Sequence, residues 1–130
     1  MFNFRRKEVP WEVVESKAVD PVPMYYDDEE LDIVAVGEDD IRKSLVFDIK
    51  HVPRTNDVRN AVVFARDQLM QGVVKAGYST LLLESWRVTT HRQHKRYRIE
   101  VEYSGRPVRA LGKLPSRRPP PFMAILQSSW

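Results

Sequence analysis

Arg87, His91, Arg92, His94, Lys95, Arg96 and Arg98 crowd into one short stretch of the chain, and Arg106 and Arg109 follow shortly after. Guanidinium forks meet phosphate oxygens two at a time and lysine meets them as a point charge, so this stretch is suited to a polyanion. A twisted two-stranded ribbon can lie in a groove or along a single strand, which makes nucleic acid the expected partner, with Arg87, Arg92, Lys95, Arg96, Arg98, Arg106 and Arg109 as the contacts. An anionic membrane surface would answer to the same charges. The competing reading is a solvated hairpin tip neutralised by the chain's own carboxylates.

Other chemistries find little support. His91 and His94 have no cysteine or carboxylate beside them in sequence, and two ligands do not make a metal site. The acidic runs Asp27, Asp28, Glu29, Glu30 and Glu38, Asp39, Asp40 lack the Asp-x-Asp-x-Asp-Gly spacing of a calcium loop. Five scattered glycines form no phosphate-cradling loop. Trp86, Tyr97 and Tyr103 could stack on bases, but their alternating positions place them in a core. No serine or acid adjoins either histidine to hint at a triad, and the expectation is a protein without catalysis and without a cofactor.

Two segments read as peptide ligands. Tyr25 and Tyr26 sit among acids as a kinase target or epitope, and Pro21-Val-Pro-Met-Tyr25 narrowly misses the Pro-Pro-x-Tyr form that WW domains bind. Arg117, Arg118, Pro119, Pro120 and Pro121 form a stretch suited to an SH3-type groove, because a polyproline conformation loses little entropy on binding.

The elements that must position these residues follow from composition and periodicity. At 130 residues with 42% apolar and 30% charged side chains the chain suits one core. The absence of cysteine removes disulfides, thiolate metal sites and cysteine nucleophiles together. The N-terminal Met-Phe-Asn-Phe-Arg-Arg-Lys-Glu has no apolar run behind it and Phe2 in place of a myristoylated glycine, so a cytoplasmic or nuclear protein is expected. Residues 1–50 hold 7 Lys and Arg against 13 Asp and Glu, whereas residues 51–130 hold 14 against 5, so a front of −6 precedes a back of +9.

Residues 1–30, broken by Pro10, Pro21 and Pro23 and ending in acids, read as a flexible arm. Residues 31–113 read as a single α+β domain. Within it, residues 31–36 and 44–51 have strand character, and Val58, Val62, Ala65, Leu69, Val73 and Ala76 recur at helical spacing behind the capping candidates Thr55, Asn56 and Asp57. Arg59, Arg66, Asp67 and Lys75 fall mostly on the wet side of that helix, and Gly77 stops it. From residue 80 the period changes to 2. Residues 80–90 and the alternation of Tyr97, Ile99, Val101 and Tyr103 predict a hairpin with its loop at residues 91–94, which sets Arg87 beside Arg98 and Thr89 beside Arg96. Ser104 and Gly105 read as a turn into an edge strand that tolerates Pro107. Residues 114–130 read as an extended, Pro-rich tail.

The predicted architecture is one long helix packed on an antiparallel sheet of about four to five strands in the order β-β-α-β-β-β, a layout that carries no function by itself. The function expected is a non-enzymatic adaptor or assembly protein that engages an anionic partner through the basic hairpin. The rivals are a self-associating, membrane-touching structural protein of the viral-matrix kind, which would be a homo-oligomer, and a protease-inhibitor-like module.

Overall fold

The computed structural model describes residues 9–25, 31–115, 117–118 and 120–121. Tyr26 and Pro119 lie outside this set, as do the acids Asp27 to Glu30. The fold is α+β, in the order β1 (Glu12–Pro23), β2 (Asp32–Val36), β3 (Ile41–Ile49), α1 (Thr55–Lys75), β4 (Thr80–Gln93) and β5 (Arg96–Leu111). Five antiparallel strands form one sheet in which β5 is central: β4 runs along one side of it, β3 and then β2 share the other, and β1 extends the sheet beyond β4. None of the described helices is long and apolar enough to cross a membrane.

The helix forms where the apolar period is 3.6. Val58, Ala61, Val62, Ala65, Leu69 and Val73 are its buried residues, and they pack on Trp86, Val88, Ile99, Val101 and Tyr103 of the sheet. The N-cap is Arg54, so the capping candidates Thr55, Asn56 and Asp57 fall in the first turn; the Arg54 N–H donates to the Asp57 carboxylate at 2.8 Å, satisfying an otherwise unpaired amide and placing negative charge at the positive end of the helix dipole. At the C-terminus Gly77 takes a φ of +87°, while the Gly77 and Tyr78 amides bond to the carbonyls of Val74 and Val73, which is the Schellman arrangement that satisfies the last carbonyls.

The structure departs from the sequence reading at several points. Residues 12–23, expected in an arm, form β1, because Val13, Val14, Val19 and Val22 favour strand and an edge position leaves the missing proline N–H groups of Pro21 and Pro23 facing no partner strand. Three strands therefore precede the helix and two follow it. Ser104 and Gly105 make no turn; they lie inside β5, a single strand of 16 residues. Gly105 is needed for closeness, not for turning, since a Cβ there would meet Leu81 Cδ1 and the Leu83 carbonyl oxygen at 2.8 Å each, where β4 bulges. Pro107 likewise sits in the central strand. Its carbonyl accepts from the Gly37 N–H at 2.8 Å across the gap between β3 and β2, and its nitrogen points to the same gap, where no ladder bond is lost.

The hairpin turn is His94–Lys95, two residues later than expected, with His94 at a φ of 57°. The shift is even, so the side chains from Glu84 to the turn stay on their predicted faces while their cross-strand neighbours change; Leu82, which period 2 would set with Trp86 and Val88, is turned to the opposite face by the bulge between Leu81 and Leu83. Arg87 meets Glu102 and Thr89 meets Glu100, in place of two arginines, and His91 meets Arg98.

A smaller cluster of Met24, Tyr25 and Leu31, backed by Ile33, Leu82 and Ala110, covers the far end of the sheet on the face turned from the helix. The described part of the tail returns there: the Arg118 N–H donates to the Met24 carbonyl at 2.6 Å and Arg117 bridges to Tyr25.

Candidate functional site

Alternation along β5 divides the sheet into an inner face under the helix, with Tyr97, Ile99, Val101 and Tyr103, and an outer face with Arg96, Arg98, Glu100, Glu102, Ser104 and Arg106. The outer face is open near the hairpin. Arg98 donates to Asp48 at 3.1 Å, His91 meets Glu100 at 3.3 Å, and Arg42 lies 3.7 Å from Glu102. Trp11, entering β1, lies across the Arg98 guanidinium at 4.3 Å and the Arg96 guanidinium at 5.7 Å, as a cation over an aromatic ring favours.

The seven cations read from the sequence as one surface do not gather into one. β5 spans roughly 50 Å at the usual strand rise, so Arg106 and Arg109 lie at the end away from the hairpin turn. Arg106 is held by Asp40 at 2.8 Å and by the carbonyls of Gly37 and Glu38. Arg109, exposed, stands opposite Ala35 of β2. Arg92 is bonded to Glu12 at 3.0 Å, a contact that raises the arginine pKa further above its ordinary value. Arg87 is exposed beside Glu102. Arg92, Arg98 and Arg106 are thus each paired with an acid of the front half, so part of the charge asymmetry is consumed inside the fold.

What remains together is the tip. Lys95 and Arg96 are exposed there, and with Lys50 after β3 they border a cleft of about 310 Å³ that is also lined by Asp48, Ile49 and Tyr97. Asp48 is engaged by Arg98, and none of the three cations has an ion pair among the described residues. Lys50 and Trp11 escaped the sequence reading: the first lies far from the hairpin in sequence, and the second lay in the presumed arm.

The peptide-ligand readings meet resistance from packing. Tyr25 is only 3% exposed, and its hydroxyl shares a 2.7 Å hydrogen bond with the Thr80 hydroxyl, so it is unavailable to a kinase or a WW domain in this fold. Arg117 turns inward to 3.8 Å from Glu84, and the Arg118 amide is bonded to Met24, so these two residues are held against the body of the protein.

Glu84 is the strongest polar feature of the interior. It is fully buried on the inner face of β4, where Arg66 grips it through Nε at 2.6 Å and a terminal nitrogen at 3.2 Å, and the Tyr103 hydroxyl donates at 2.6 Å. Arg66, expected on the wet side of the helix, curls under it because a buried carboxylate needs a bidentate donor. One signal was available: Glu84 shares its parity with Trp86 and Val88, so it is an acid on an apolar face. Burial would lower the Arg66 pKa, but the hydrogen bond and charge of Glu84 outweigh that and the net direction is upward. Burial first, and the adjacent Glu84 charge second, push the Tyr103 phenol far above its ordinary value of 10.

The sign of that shift makes a prediction. Below pH 10 the tyrosine is protonated in both folded and unfolded chains; above it the unfolded chain releases a proton that the folded chain retains, so stability falls as pH rises. Urea midpoints measured between neutral pH and pH 11 are expected to drop at the alkaline end, and Tyr103→Phe should show a smaller drop over that interval. Equal slopes in the two proteins would contradict the assignment.

Comparison of the chain with protein-family models, with curated proteins and with solved structures finds no significant match.

Proposed function

We propose that the protein is a non-enzymatic binding module that takes an anionic partner, single-stranded nucleic acid foremost, at the tip of the β4–β5 hairpin. The observation that carries this reading is the convergence of Lys50, Lys95 and Arg96 on one cleft with no acid paired to them among the described residues. Three cations can follow a phosphate backbone, and the ring of Tyr97, which lines the cleft, offers a π-face of the kind on which unpaired bases stack. The paired arginines contribute differently: Arg98, bonded to Asp48, neutralises the acid that lines the cleft.

Fluorescence anisotropy with a labelled single-stranded oligonucleotide tests the reading. Binding is expected at low salt, with log K falling linearly in log salt, and each cation removed from the cleft should flatten that slope by about 0.7. Lys95→Ala/Arg96→Ala should therefore lose both affinity and salt dependence, while Arg109→Ala, at the other end of β5, should bind as the wild type does. No binding at low salt, or an equal loss in both proteins, would remove the proposal.

A further inference from the structure

Among the described residues the sheet has two unpaired edges, and they are not alike. β1 is blunted by Pro21 and Pro23 and by irregularities in its register at Val13/Glu15 and Val19/Val22, which are devices that keep a strand from pairing with another chain. β3 pairs with β5 without a register shift from Ile41 to Ile49, and it contains no proline. Among the described residues no strand pairs its outer side. Apolar side chains lie exposed along the same edge: Val46 is 56% exposed, and Phe64 of α1, stacked edge-on to Phe47 with ring centres 5.9 Å apart, is 48% exposed.

We infer that the protein forms a two-fold homodimer in which β3 pairs antiparallel with β3 of a second copy, Leu45 opposite Leu45. The strand is self-complementary about that residue. Ile41 falls opposite the partner's Ile49, and Leu45 opposite the partner's Leu45, all on the inner face, as their register with Gly105, Tyr97 and Val101 places them. On the outer face Arg42 falls opposite the partner's Asp48 and Ser44 opposite the partner's Val46, each contact occurring twice by symmetry.

Charge complementarity runs through the seam and beyond it. Asp48 already bonds Arg98 and Arg42 already faces Glu102. Pairing the two β3 strands therefore completes a row of alternating sign: Arg98, Asp48, the partner's Arg42, the partner's Glu102. Continuing the register one residue past each strand end sets Lys50 opposite the partner's Asp40, a carboxylate that Arg106 of its own chain already holds, and leaves Lys95 and Arg96, the two cations on which the binding test rests, facing outward. Lys43 is the one feature that resists, since a charge on the inner face of an edge discourages pairing. It falls opposite the partner's Phe47, where its methylene stem can lie along the ring while the ammonium reaches water. Phe64 of each copy stands over this seam.

Light scattering behind size exclusion reads the result directly, with an expected mass of twice the 15.2 kDa chain at micromolar and higher concentrations. Arg42→Asp sets Asp against Asp twice across the seam, and Asp48→Arg sets Arg against Arg twice. Each variant, once shown by circular dichroism to be folded, should run at the mass of one chain. An equimolar mixture of the two restores opposite charges at both contacts and should return to twice the chain mass. A wild type that stays monomeric to hundreds of micromolar, single variants that remain dimeric, or a mixture that fails to recover would each overturn the inference. Should a variant not fold, hydrogen exchange of the wild type decides. Outward amides of residues 41–49 gain protection with protein concentration in a dimer, and concentration-independent exchange overturns it.

Discussion

Replacing Arg66 with methionine is expected to lower the free energy of unfolding by about 3–5 kcal/mol, because the fully buried Glu84 loses its bidentate partner. The remaining contacts do not substitute. Tyr103 supplies one neutral hydrogen bond and Arg117 stands at 3.8 Å, beyond hydrogen-bond range. Removing both members of the pair has a different outcome: Arg66→Met/Glu84→Leu replaces two charges with apolar bulk and should recover most of the loss, since a buried ion pair contributes little net stability over a well-packed hydrophobic one. Urea titrations of the two proteins and of Glu84→Leu alone complete a double-mutant cycle, in which a strong favourable coupling between Arg66 and Glu84 is expected. A coupling near zero would mean that the two side chains do not meet in the folded protein.

Gly105→Ala is the second large effect, at about 1–3 kcal/mol of destabilisation. Its added methyl would press on the Leu81 side chain and on the Leu83 carbonyl, both at 2.8 Å. Leucine can rotate away, but a carbonyl inside the β4–β5 ladder cannot move without disturbing the bonds around it. Gly72→Ala makes the contrast. That glycine lies inside α1 with nothing within 4 Å of the new Cβ, so the same substitution should stabilise the protein by roughly 0.5–1 kcal/mol through reduced freedom of the unfolded chain. Thermal melts of the two variants should therefore shift in opposite directions, and a tolerated Gly105→Ala would show that β4 does not bulge where it is placed.

The helix was legible because its signal is local. Val58, Val62, Ala65, Leu69 and Val73 repeat at the period of one element, and Asp57 and Gly77 mark its ends with side-chain and backbone chemistry that needs no distant partner. The two faces of the hairpin were legible for the same reason as far as the Leu81/Leu83 bulge, period 2 being insensitive to an even error in the turn but not to an extra residue that sends Leu82 to the other face. β1 was missed because prolines and acids resemble a linker until an edge position is available to accommodate them, and Gly105 was misread because a glycine that permits close approach looks in sequence like a glycine that permits a turn.

The candidate site divides along the same line. Residue types alone determined that an acidic front precedes a basic back, that one helix packs on an antiparallel sheet, and that the cations concentrate in the late hairpin. Which cations pair with acids, and which gather without an ion pair among the described residues, was decided by the tertiary structure. The turn at His94–Lys95 sets Arg87 opposite Glu102; β1, the β2–β3 loop and β3 bring Glu12, Asp40 and Asp48 to Arg92, Arg106 and Arg98; and the same folding leaves Lys50, Lys95 and Arg96 facing one cleft. The physical reason is that sequence patterning reports which face a side chain occupies, whereas an ion pair depends on register between strands far apart in the chain, and that register is settled only by how the whole sheet packs.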